Sequence, residues 1–221
     1  MRVNGEGARR QGSLLPWLLT SGALLSLVGC FTYDVNLGSV SEPLVATTCG
    51  TWDSAGTHET DVYFVGHSST NPNDTISYFV FDLTPVEGKT LTDATLTIPG
   101  TGDWAITVAS GSVPDLQFKL GTRPLPPGLT LAQVTEATDA GVYQDVEAEE
   151  DLGFGYMTSG ATTQAFDAFH YDTARLQGAV NDGGLYPLFA VSRLGLDAAT
   201  EEYLYGGGVY NQGILFTVTF E

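Results

Sequence analysis

Apolar residues recurring at every second position constrain this chain more than any other feature. Phe79, Phe81 and Leu83 fall on one face of an extended segment, while Tyr78, Val80 and Asp82 fall on the other. Ala94, Leu96 and Ile98 alternate with Thr95 and Thr97, and Leu116, Phe118 and Leu120 with Gln117 and Lys119. Near the end of the sequence, Ile214, Phe216, Val218 and Phe220 alternate with Leu215, Thr217 and Thr219. Period two places one set of side chains on a core and the other toward water, as in half-buried antiparallel strands. Turn-forming residues separate these runs: Asn71-Pro72-Asn73, Glu87-Gly88, Pro99-Gly100, Pro126-Pro127-Gly128, Asp182-Gly183-Gly184 and Gly206-Gly207-Gly208. The expected fold is all-β, an antiparallel β-sandwich or jelly roll.

One segment departs from this period. Asp172 can cap a helix that carries Leu176 and Val180 at i and i+4 and stops at Gly183-Gly184. A single short helix is expected there, lying across an end of the sandwich. No repeat of 20–50 residues is visible, which argues against a propeller or solenoid.

Residues 1–30 obey different physics. Arg9 and Arg10 precede an apolar stretch from Leu14 to Val28 that ends at Gly29-Cys30. A basic start, a short apolar middle and a small residue at the cut form a secretory leader. At about 15 residues the apolar stretch is shorter than the ~20 of a comfortable spanning helix. It also has no polar face, so it does not suit a core helix packed on a β domain. Leu27-Val28-Gly29-Cys30 resembles the bacterial lipobox, whose cysteine is acylated before cleavage ahead of it. That resemblance implies lipidation of Cys30 and attachment to a membrane. Phe31, rather than Asp, follows the cysteine, which resembles default routing to the outer membrane. The expected organisation is a lipoprotein signal peptide over 1–29, a lipidated N-terminus and tether over 30–46, and a β-sandwich domain over 47–221. If Cys30 is acylated, Cys49 is left without an intrachain partner and is expected to be a buried spectator.

Charge excludes one class of function. The chain carries −18, and Arg2, Arg9 and Arg10 against Glu6 give the first 29 residues +2, so the remainder carries −20. Five lysines and arginines cannot build a basic patch on such a surface, so nucleic acid is not a partner. The excess is read as solvation and resistance to self-association, with cation binding as the sharper alternative.

Two stretches resemble a group of secreted bacterial single-domain β-sandwich proteins, many with sorting signals of the PEP-CTERM kind. One is Trp52-Asp53-Ser54-Ala55-Gly56-Thr57-His58, followed by Tyr63-Phe64-Val65-Gly66 and Asn71-Pro72-Asn73. The other is Tyr78-Phe79-Val80-Phe81-Asp82-Leu83 with Leu91-Thr92-Asp93-Ala94-Thr95-Leu96, a strand pair also similar to carbohydrate-binding-like jelly rolls. Asp151-Leu152-Gly153-Phe154-Gly155 and Tyr203-Leu204-Tyr205-Gly206 are similar more loosely. The resemblance implies the fold and an extracytoplasmic address, and carries no activity. It departs at Glu221, where no sorting helix stands, and the lipobox is expected to serve as the anchor instead.

Motifs with a catalytic mechanism are missing from the sequence. His58, His67 and His170 lie in no nucleophile-bearing motif, and neither G-x-S-x-G nor H-E-x-x-H occurs. Asp53, Ser54 and His58 have the residue types of a triad but crowd into six positions, which suits a hydrogen-bonded turn better. A zinc site from His58 and His67 lacks a third ligand at a usual spacing. Asn71, Asn73 and Asp74 are weak calcium candidates in an oxygen-rich turn, and Asp145, Glu147, Glu149, Glu150 and Asp151 read as a solvated loop. Candidates for stacking on sugar are Trp52, Trp104, Tyr143, Tyr156, Tyr203 and Tyr210. The expected function is therefore non-enzymatic: a lipid-anchored envelope module that binds or has a structural role. Its partners would be the membrane and a cell-surface glycan or envelope protein. Cofactors are not expected beyond calcium, with a carbohydrate-binding module as the alternative and a glycan hydrolase as a distant third.

Overall fold

A computed structural model describes residues 38–68, 71–99, 118–157, 163–192, 202–207 and 213–221. Cys30 and the leader lie outside the described residues, as do Leu116, Trp104 and Tyr210.

The chain folds as an all-β sandwich of two antiparallel sheets. The smaller sheet is ordered β1 (Val40–Val45), β12 (Leu215–Phe220), β6 (Leu91–Pro99), β9 (Thr163–Asp167). The larger runs β11 (Glu202–Gly207), β4 (Val62–Ser68), β5 (Asn71–Asp82), β10 (Leu185–Ser192), β7 (Phe118–Arg123), β8 (Gly153–Met157). Off that path, β2 (Thr48–Asp53) pairs with β5 and with the short β3 (His58–Thr60).

Alternation is strict in the smaller sheet. Ala94, Leu96 and Ile98 of β6, with Phe216 and Val218 of β12, are buried against the larger sheet, while Thr95, Thr97, Thr217 and Thr219 are half-buried on the other face. Between the sheets these residues meet Phe79, Phe81 and Leu188, and Phe166 of β9.

The larger sheet corrects the expectation that its second face meets water. Tyr78 and Val80 of β5, Phe189 and Val191 of β10 and Trp52 of β2 are buried in a second core. Two helices absent from the sequence-based reading cover them: α1 (Leu131–Thr135) contributes Val134, and α2 (Val142–Glu147) contributes Val142 and Val146. Thr130 and Gln133 form a reciprocal capping box at the start of α1. Trp52 Nε1 donates to the Val134 carbonyl at 3.0 Å, tying β2 to α1. The expected helix is α3 (Thr173–Asp182), which places Leu176 and Val180 in the inter-sheet core and ends at Gly183 with φ +66°.

Three local expectations change. Residues 40–45, read as tether, form edge strand β1, opposite Phe220 to Leu215 of β12. Pro43 lacks an N–H and suits an edge position. Asn71-Pro72-Asn73, read as a turn, opens β5, where Asn71 is opposite Ser68 of β4. Gly206 and Gly207 likewise belong to β11.

The sheets meet at one corner, where β8 passes close to β9. A Cβ on Gly153 would lie 2.4 Å from the Asp167 carbonyl oxygen, and one on Gly155 would lie 2.8 Å from the Phe166 ring. Only glycine permits that approach. Thr122 Oγ1 donates to the Asp167 and Gly153 carbonyls at 2.7 and 3.2 Å, stitching the corner.

Candidate functional site

The turn after β2 is held by its own carboxylate. Asp53 Oδ1 accepts from the Ala55 and Thr57 N–H groups at 3.0 and 2.7 Å, and Asp53 Oδ2 accepts from Asn73 Nδ2 at 3.1 Å. His58 instead hydrogen-bonds Tyr78 Oη at 3.0 Å through Nε2, with its ring 4.6 Å from Trp52. Asp53 is thus engaged in a turn and His58 in an aromatic stack. Of the calcium candidates, Asn73 turns its amide toward Asp53, Asp74 is exposed, and Asn71 lies in β5 opposite Ser68. His67 lies in β4 opposite Glu202, on a different strand from His58. Among the described residues no three His, Cys, Asp or Glu side chains gather into a metal-binding group.

Burial holds the His58 imidazole below its ordinary pKa of 6.5. The folded chain therefore favours neutral His58, and the unfolded chain takes up the proton first as pH falls. Stability from this group is complete above about pH 6.5 and declines as pH drops toward the lower folded value. Melting temperatures from pH 7.5 down to 5 should fall more in wild type than in His58→Gln. Parallel curves would refute the assignment.

Cys49 is buried in β2, and its thiol is pushed up to about 11 by burial and by the Asp61 carboxylate. It is placed and titrates as a packing residue, without the low pKa of a nucleophile.

The acidic run from 145 to 151 is not the solvated loop expected. Its first half completes α2, and three of its carboxylates face arginines. Arg123, only 1% exposed, donates from Nε to Asp151 Oδ1 at 3.1 Å, and from Nη1 to the Val146 carbonyl and Glu147 Oε2 at 2.7 and 3.1 Å. Arg175 of α3 pairs with Glu149 and donates from Nη2 to the Leu125 carbonyl at 2.6 Å. These carboxylates neutralise and fix side chains, and so are committed to structure.

Among the described residues, Val40, Val45 and Leu185 are exposed apolar side chains, and two tyrosines join them. Tyr156 and Tyr171 are 47% and 54% exposed. Phe154 and Tyr156 alternate along β8, with ring centroids 5.8 Å apart and planes nearly perpendicular at 87°. Tyr171, just beyond β9, stacks on Phe154 at 6.1 Å and 19°, and His170 meets the Tyr171 edge at 4.6 Å. The Asp167 carboxylate lies 3.6 Å from His170 Nδ1. The Leu152 carbonyl accepts both the His170 and Tyr171 N–H groups at 2.8 Å, which fixes the backbone beneath the rings.

Of the stacking candidates read from the sequence, Tyr156 belongs to this cluster. Trp52 is buried, Tyr143 is half-buried against the second core, and Tyr203 lies in β11 opposite Gly66. Sequence reasoning passed over Phe154, His170 and Tyr171 as a unit. The available signal was Phe154-Gly155-Tyr156, where a glycine beneath two rings of equal parity marks a strand pressed against another backbone. No family model and no curated protein matches the chain.

Proposed function

We propose that this chain is an exported bacterial envelope lipoprotein, a non-enzymatic β-sandwich module held to a membrane through acyl chains on Cys30. The observation that carries this reading is the sequence Leu27-Val28-Gly29-Cys30 at the end of a basic, then apolar, leader. Acyl chains contribute about 0.8 kcal/mol per buried CH₂, so two or more on one residue anchor a domain stably. Routing to the outer membrane accords with Phe31 after the cysteine. The all-β domain suits such an address because it needs no disulfide or metal at this size. Its role is to bind an envelope partner or support the envelope's structure. Among binding readings, a carbohydrate-binding module is favoured by the exposed rings of Tyr156 and Tyr171.

Expressed in a Gram-negative bacterium, the wild-type chain should incorporate labelled palmitate and enter the detergent phase on phase separation. Cys30→Ser should abolish both. A wild-type product with its leader intact and no label would end the proposal.

A further inference from the structure

One hydrogen bond settles which way the main-chain groups of edge strand β1 point. The Ala46 N–H donates to the Ile214 carbonyl at 3.0 Å, and the register that pairs Val40 with Phe220 and Val45 with Leu215 puts these two residues directly opposite. In an antiparallel pair, hydrogen-bonded opposite residues recur at every second position. Val40, Glu42 and Leu44 therefore turn their main-chain groups toward β12, and Ser41, Pro43 and Val45 turn theirs away. Among the described residues no strand pairs with that outer row.

The opposite edge of the same sheet is covered. There the Asp167 carbonyl of β9 accepts from Thr122 Oγ1 at 2.7 Å, and β8 lies close against it. β1 has the makings of an adhesive strand. Val40 and Val45 are β-branched and 50% and 54% exposed, and a row of outward donors and acceptors is a template for another chain. A second copy supplies the same row, and two-fold symmetry makes an antiparallel strand its own complement. Pairing centred on residue 43 would join two four-stranded sheets into one.

Two residues oppose that union. Pro43 is the middle member of the outer row, so the row offers N–H donors only at Ser41 and Val45, about 13 Å apart. In the self-paired arrangement each copy would lack its central donor, and two main-chain hydrogen bonds would be missing. Glu42 works on a different axis. It shares a strand face with buried Leu44 and stands opposite Val218 of the core, yet is itself half-buried. A strand added alongside would close over that carboxylate and strip its water.

We infer that Glu42 and Pro43 guard this edge, keeping the smaller sheet from being extended by a second copy of the chain. The guard is separate from the net charge, which repels copies at any orientation, because it acts on one strand and one geometry.

The test compares full-length chains purified in the same detergent, so that the leader and Cys30 are common to every arm. Sedimentation velocity should show the wild type monomeric. Pro43→Val should self-associate about thirtyfold more tightly than wild type, the worth of two main-chain hydrogen bonds, and Glu42→Thr/Pro43→Val more tightly still. Adding Ser41→Pro to the double variant returns a proline to the same row and should weaken association by a similar factor. Amide hydrogen exchange reads the edge directly. In the wild type the Val45 amide should exchange rapidly and the Leu44 amide slowly, and in Pro43→Val the Val45 amide should become protected as concentration rises. The wild-type exchange pattern needs no variant and tests the outer row by itself. Three results would overturn the guard: a double variant that stays monomeric, association undiminished by Ser41→Pro, or a Val45 amide already protected in the wild type.

Discussion

Replacing Arg123 with methionine should cost the domain about 3–5 kcal/mol, the largest loss expected from any single polar side chain here. The guanidinium lies between the larger sheet and α2 at 1% exposure, and its partner Asp151 is only 6% exposed. Removing the arginine leaves that carboxylate in a site with little water, and leaves the Val146 carbonyl without the donor 2.7 Å away. Glu147 suffers less, since its side chain is 46% exposed and rehydrates. For a domain of this size each kcal/mol moves the melting temperature by roughly 2–4 °C, so thermal unfolding should fall by about 8–15 °C. The double variant Arg123→Met/Asp151→Leu should recover part of the loss, because it removes the buried carboxylate together with its guanidinium partner. A single variant within about 1 kcal/mol of wild type would show that Asp151 reaches water and that this arginine does not hold α2.

Gly153→Val should be comparably severe, by about 3 kcal/mol or more, through a different mechanism. The new Cβ would stand 2.4 Å from the Asp167 carbonyl oxygen and 2.6 Å from its carbon, and backbone atoms cannot swing aside as a flexible side chain can. Relief requires β8 to draw away from β9, which would also stretch the Thr122 hydrogen bonds that span both. Gly178→Ala is the matched control. Nothing lies within 4 Å of its added Cβ, and within α3 alanine should stabilise by up to about 1 kcal/mol. Denaturant midpoints of the two variants should move in opposite directions. If they move together, the close approach of the two strands is wrong.

The sequence was most readable where one face of an element meets water. β6 and β12 follow strict alternation because Thr95, Thr97, Thr217 and Thr219 look outward from a sheet packed on one side only. α3 was legible from Leu176, Val180 and the glycine stop. β5 misled because alternation in Tyr78-Phe79-Val80-Phe81 is between two apolar sets. An almost unbroken apolar run means burial on both faces, and so predicts a covering layer on the larger sheet. That layer, α1 and α2, escaped notice because helices of five and six residues are too short to establish a period. Thr130-x-x-Gln133 was their one local signal. The acidic run gave no hint of its partners, since Arg123 is 28 positions from Asp151, and Arg175 is 26 from Glu149. The aromatic cluster was hidden for the same reason. Phe154 and Tyr171 become neighbours only once two strands turn the corner between the sheets.

The carbonyl of Leu152 has a consequence beyond local geometry. It receives the main-chain hydrogens of His170 and Tyr171 at 2.8 Å, while its own amide nitrogen is bound to Thr122 and its preceding neighbour is the carboxylate gripped by Arg123. The surface rings therefore stand on backbone that is hydrogen-bonded to segments of both sheets. A substitution at Leu152 that shifts this carbonyl would accordingly be felt at β7 and at the segment after β9 together.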